Sequence, residues 1–101
     1  MKTARENNRL VIFLEGEINA RKVPDFQKEI EDILAANPGQ DFLFDAKDLI
    51  YISSAGLRLL LSLQKKLGKG KITVQNVSRE IYEIFDMTKF TDLMDVVPSQ
   101  D

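Results

Sequence analysis

Two adjacent hydroxyls, Ser53 and Ser54, stand in the stretch DLIYISSAGLRLLLSLQKK, residues 48–66. They fall where the pattern changes. The residues before them read as a buried strand, and the leucines from Leu57 recur at helical spacing. A serine at a helix start caps it by accepting a backbone N–H, which is worth about 1 kcal/mol. One cap accounts for one serine. The second lies beside Ala55 and Gly56, at a corner kept free of bulk, where another protein's backbone or active site has room to approach. The free N–H groups and dipole of a helix N-terminus also favour an anion. A phosphoserine there adds about −1.5 to −2 charges and three acceptor oxygens. The residue types alone favour the cap over the phosphate switch.

Other chemistries find less support. The chain has 101 residues with no cysteine and no histidine. Disulfides and thiolate metal sites are excluded, and the usual general base and commonest metal ligand are missing. ISSAGL does not have the G-x-S-x-G spacing of a nucleophilic serine, and no histidine exists to deprotonate it. LGKGK, residues 67–71, lacks phosphate-loop spacing and reads as a helix stop and turn. Asp45 and Asp48 could share a metal, yet two acids after a short apolar run read better as turn formers and solvated charges. Tyr82, Phe85 and Phe90 have no basic residues interleaved as a stacking platform would. No catalytic residue, metal or cofactor is expected. A net charge of −2 argues against a general nucleic-acid binder. No segment reaches the ~20 apolar residues that span a bilayer, and MKTARENNRL lacks the apolar core of a signal peptide. The expected compartment is therefore the cytosol, with no membrane partner.

The elements that must position the serine pair are legible from periodicity. Val11 to Leu14 is a continuous apolar run within RLVIFLEGEI, a central strand that Gly16 should end. Lys2 to Glu6 should pair with it through a turn at Asn7-Asn8. Val23, Phe26, Ile30, Ile33 and Leu34 mark one face of a helix that opens at Pro24 and stops at the NPG of residues 37–39. Phe42 to Phe44 predicts a short strand buried on both faces and so in parallel pairing. A second helix covers about Ser54 to Leu67, with its leucines on one broad side and Arg58, Ser62, Lys65 and Lys66 on the other. KITVQNV from Lys71 reads as a strand. Ser78 should cap a third helix, REIYEIFDM, and residues 93–97 should form a last edge strand. Strands alternate with helices, so the class is α/β with a mixed sheet of four or five strands and about three helices, in one domain over residues 1–101.

The stretch DLIYISSAGLRLLLSLQKKL resembles the signature of STAS domains, found in bacterial anti-sigma factor antagonists. LEGEIN at Leu14 to Asn19 resembles the family's L-x-G-E-[LI]-D strand end. VSREIYEIFDMTKFTDLMDV at Val77 to Val96 resembles its C-terminal helix and following turn. The resemblance spans nearly the whole chain. It implies a mixed sheet with helices packed on it, and a non-enzymatic role: binding an anti-sigma factor, usually one with serine kinase activity, and so freeing a sigma factor. It implies that the kinase phosphorylates the signature serine before a small residue and Gly-Leu, which here is Ser54, and that a phosphatase restores it. Asn19, Ser53, Ser54, Ala55, Gly56 and Arg58 are then the expected partner-binding residues.

Three positions depart from the family pattern. Ser53 stands where many phosphorylated relatives carry Asp, and Asn19 where they commonly have Asp, which removes negative charge near the acceptor. Lys89 stands where the C-terminal turn often has Gly. The chain also ends soon after Val97, so the family's last helix is expected to be absent or short. Two other roles stay open on the residues: a STAS adaptor or scaffold subunit with no phosphorylation cycle, and nucleotide binding. Oligomeric state is left open.

Overall fold

The computed structural model describes residues 1–100. Its elements run β1 (Thr3–Glu6), β2 (Arg9–Ile18), α1 (Val23–Ala36), β3 (Phe42–Ile52), α2 (Ser54–Leu67), β4 (Thr73–Val77), α3 (Arg79–Met87) and β5 (Asp95–Pro98), with a short 3-10 turn at Phe90–Asp92 before β5. The five strands form one sheet in the order β1-β2-β3-β4-β5. β1 runs antiparallel to β2, and each later neighbour is parallel. This is the mixed α/β architecture with three helices that the alternating pattern predicts.

Local chemistry explains the connections. Asn7 and Asn8 have φ of 51° and 66°, the left-handed geometry that a tight hairpin turn needs and that asparagine tolerates. Each parallel connection carries one helix. Crossovers of a single hand between strands added in sequential order place all three helices on one face of the sheet. There Leu10, Ile12, Leu14, Phe44, Ala46 and Val74 from the strands meet Phe26, Ile30, Leu57, Leu60, Ile81 and Phe85 from the helices in one buried cluster. Gln64 of α2 stitches this layer to the sheet edge: its Oε1 accepts from the Ile72 N–H at 2.8 Å, and its Nε2 donates to the Leu93 carbonyl at 2.8 Å. The opposite face carries a small second cluster of Val11, Phe13 and Leu43, with Ala4 against it. The Lys2 and Lys47 ammonium groups lie 5.7 and 5.1 Å from the centre of the Phe13 ring.

Caps fall as their residue types dictate. Ser78 Oγ accepts from the Ile81 N–H at the start of α3. Gly68, with φ of 62°, closes α2, so LGKGK begins as the expected helix stop. Lys89 adopts φ of 67°, a left-handed turn where the family pattern often has glycine.

Several boundaries differ from the sequence expectation. Gly16 does not end β2: it has φ of 72° and sits inside a register irregularity, and the strand continues to Ile18. The short strand expected at Phe42 to Phe44 and the strand-like residues before Ser53 are one strand of eleven residues, because parallel pairing with β2 carries β3 through to Ile52. Asp45 and Asp48 therefore lie in a strand, not in a turn. Asp45 is buried, and its carboxylate accepts from the Lys47 N–H at 2.9 Å, Gln75 Nε2 at 3.1 Å and Asn76 Nδ2 at 2.8 Å. Those donors make the buried charge tolerable. β4 begins at Thr73, two residues later than expected, and β5 is displaced to Asp95–Pro98 by the 3-10 turn.

Candidate functional site

The serine pair sits where β3 feeds α2. Ser53 is the cap, with extended backbone (φ −79°, ψ 167°). Its Oγ accepts from the Gly56 N–H at 3.2 Å and its carbonyl accepts from the Leu57 N–H at 3.0 Å. Its own N–H donates to the Ile18 carbonyl at 2.9 Å. That last bond locks the end of β2 to the start of α2 and brings Asn19 to the same corner.

Ser54 is the first residue of α2 and is exposed. Its hydroxyl has no hydrogen-bond partner among the described residues. Ser54 thus presents an accessible hydroxyl at the start of the helix. The opening N–H groups of a helix have no intrahelical acceptor. Ser53 takes up the one from Gly56, and the positive end of the α2 dipole lies beside Ser54.

The other expected residues divide. Ala55 is half-buried and Arg58 is exposed on the outer side of the helix, four residues from Ser54. Asn19 is half-buried, and its Oδ1 accepts from the Lys22 N–H at 3.2 Å, which holds the turn into α1. Gly56 faces inward. A Cβ built on it would lie 2.8 Å from Ile52 Cγ1 and 3.1 Å from Ile18 Cγ2. The space that glycine makes is used by the protein's own strands, so the small residue serves close helix–sheet packing. Asn19, Ser53, Ser54, Ala55 and Arg58 are brought to one corner, with Gly56 beneath it.

Two residues at this corner escape a reading by residue type. Ile50 is 70% exposed and Tyr51 is 45% exposed, although LIYI looks like a buried strand. The cause is register. Gly16 pairs with Leu49 and Glu17 with Tyr51, so Ile50 is an extra residue on β3 with no opposite number. The only legible signal is negative: strict alternation over four consecutive apolar residues must turn some of them outward.

Three helices packed on a mixed five-stranded sheet are consistent with the α/β fold of a STAS domain. The STAS domain pattern matches residues 1–101, and the chain belongs to that family. The anti-sigma-B factor antagonist of Bacillus subtilis (strain 168) is 26% identical over 94 residues, covering 91% of this chain and 84% of that protein. The crystal structure of an anti-sigma factor antagonist from Mycobacterium paratuberculosis superposes with a TM-score of 0.82 at 21% identity, covering 99% of this chain and 86% of that one. At that identity the superposition speaks for the fold. Among the described residues, no helix is long and apolar enough to cross a membrane.

Proposed function

We propose that this protein is an anti-sigma factor antagonist acting in the cytosol. It binds an anti-sigma factor of the serine kinase type through the corner formed by Asn19, Ser53, Ser54, Ala55 and Arg58, and the sigma factor held by that partner is released. The kinase modifies Ser54. The Ser54 oxygen attacks the γ-phosphorus of ATP held by the partner, the bond from that phosphorus to ADP breaks, and the hydroxyl proton passes to a base of the kinase. A phosphatase hydrolyses the ester and restores the serine.

One observation carries this reading: capping belongs to Ser53, which leaves the Ser54 hydroxyl exposed and without a hydrogen-bond partner among the described residues at the helix start. A phosphate on Ser54 breaks no bond of the native fold, and it sits at the end of the helix that favours anions. Inside a docked interface the same group brings charge and bulk. Burying or opposing it costs several kcal/mol, and about 1.4 kcal/mol is tenfold in affinity, so a loss of a hundredfold or more is expected.

Capture from the native cytosol with Ser54→Ala and Ser54→Asp baits tests it. A kinase-type anti-sigma factor should be retained by the first and depleted with the second. Equal retention on both overturns the switch. A second reading, a STAS adaptor with no phosphorylation cycle, draws on Ser53 and Asn19, which leave the corner without the acids of phosphorylated relatives. Intact-mass spectrometry of protein from its host, with and without phosphatase treatment, separates the two.

A further inference from the structure

Ser54 and Arg58 are separated by four residues in α2, so their side chains share one face of the helix, a turn apart. Both are exposed. The helix, SAGLRLLLSLQKKL, contains no acidic residue. Its one ion pair among the described residues joins Lys66 to Glu31 of α1 at 3.4 Å, at the end far from Ser54. Arg58 itself makes no hydrogen bond or ion pair among the described residues. A guanidinium with all its donors open thus stands one turn beyond an open hydroxyl, with no acid of its own helix competing for it.

We propose that Arg58 is the counter-ion of a phosphate carried on Ser54, an inference that rests on the phosphorylation reading above. The guanidinium fork matches phosphate oxygens bidentately, which an ammonium cannot do. The orientation is the favourable one for a helix, with the anion on the N-terminal side and the cation four residues on. One modification then changes the docking face twice. It adds a dianion at Ser54, and it draws Arg58 back along the helix so that the guanidinium is no longer offered to a partner. The segments adjoining the corner carry other charged or titratable groups: Glu17 at the end of β2, Arg21, Lys22 and Asp25 around the start of α1, and Asp48 and Tyr51 on β3. Lys22 is the control among them.

The test uses the full chain with phosphoserine installed at position 54 during translation, so no kinase is needed. Phosphorus NMR at low salt follows the second ionisation of the phosphate in the otherwise wild-type chain, in Arg58→Gln and in Lys22→Gln. A cation beside the dianion lowers that ionisation. The phosphate should titrate a few tenths of a pH unit lower with Arg58 present than in Arg58→Gln, and the gap should shrink as salt is added. Lys22→Gln should follow wild type. The helix N–H groups are common to all three, so the comparison isolates the side chain. Coincident curves for wild type and Arg58→Gln overturn the proposal, as does a shift produced by Lys22→Gln in place of Arg58→Gln. Circular dichroism checks that each phosphorylated chain is folded, and unfolding by the phosphate itself also overturns it. If the host protein never carries phosphate, the switch reading fails on the mass measurement, while the pairing is still decided by this titration.

Discussion

Ser53 and Ser54 carry the same side chain but are bonded differently, and stability measurements can separate them. The Ser53 oxygen is committed to the Gly56 N–H, whereas the Ser54 oxygen is bonded to nothing among the described residues. Ser53→Ala should lower the unfolding free energy by about 1 kcal/mol, and Ser54→Ala should change it by less than about 0.5 kcal/mol. Urea denaturation of both variants checks this, and equal losses would show that the two serines exchange the cap. Gly56 sits beneath them. A methyl there meets Ile52 Cγ1 at 2.8 Å, in a contact fixed from below by the β2–α2 bond of Ile18 and Ser53. Gly56→Ala should cost roughly 1–3 kcal/mol by overpacking, with a lower denaturation midpoint as the readout. The sequence made a capped corner legible, because two serines precede a leucine run. It did not make legible which serine caps, since that depends on the backbone angles of Ser53. Nor did it show that Gly56 opens room for the protein's own isoleucines and not for a partner.

Among the elements, β3 is where pattern and structure part. The helices were legible because their apolar residues recur over fourteen residues in α1 and again in α2, and sampling that long makes the helical period unambiguous. β2 was legible up to Gly16. β3 was read as two pieces, Phe42 to Phe44 and the strand-like residues before Ser53, because Asp45, Lys47 and Asp48 break the apolar run. Their place in the strand is settled by partners distant in the chain: Gln75 and Asn76 supply donors that let Asp45 enter the sheet. The register shifts on β3 are equally non-local, since they arise from pairing with Gly16 and Glu17. One consequence is an exposed apolar side chain. Ile50, pushed out of register just before the serine corner, is a large apolar side chain held in water by the backbone. Ile50→Ser removes no buried contact, so its stability should stay within about 1 kcal/mol of wild type. If Ile50 is one of the few anchors at the centre of the docking surface, its truncation costs about 1.4 kcal/mol, or tenfold in affinity. Titration calorimetry against the captured anti-sigma factor should show a drop of at least that size, and unchanged affinity would place Ile50 outside the docking surface.

At the scale of the molecule, the question is whether a negative charge at Ser54 acts by deforming the protein or by altering its surface. The domain has a radius of gyration of 12.5 Å, and a single apolar cluster joins all three helices to the sheet. Close-packed interiors of this kind do not deform continuously. Ser54 lies outside that cluster, and the bonds that set the corner belong to Ser53, Ile18, Gly56 and Leu57. An acid at the first helical residue also faces the positive end of the α2 dipole, worth about 0.3–1 kcal/mol in favour of the folded state. Ser54→Asp should therefore raise the thermal midpoint or leave it unchanged, while weakening partner binding more than Ser54→Ala does. Stability and affinity move in opposite directions only if the charge acts at the surface. Were the switch conformational, the same variant would lose both together, and amide exchange would quicken in α2 and in the strand ends beneath it. Thermal unfolding and calorimetric titration of the one variant decide between these mechanisms, because a charge acting at the surface should leave the fold intact and weaken docking alone.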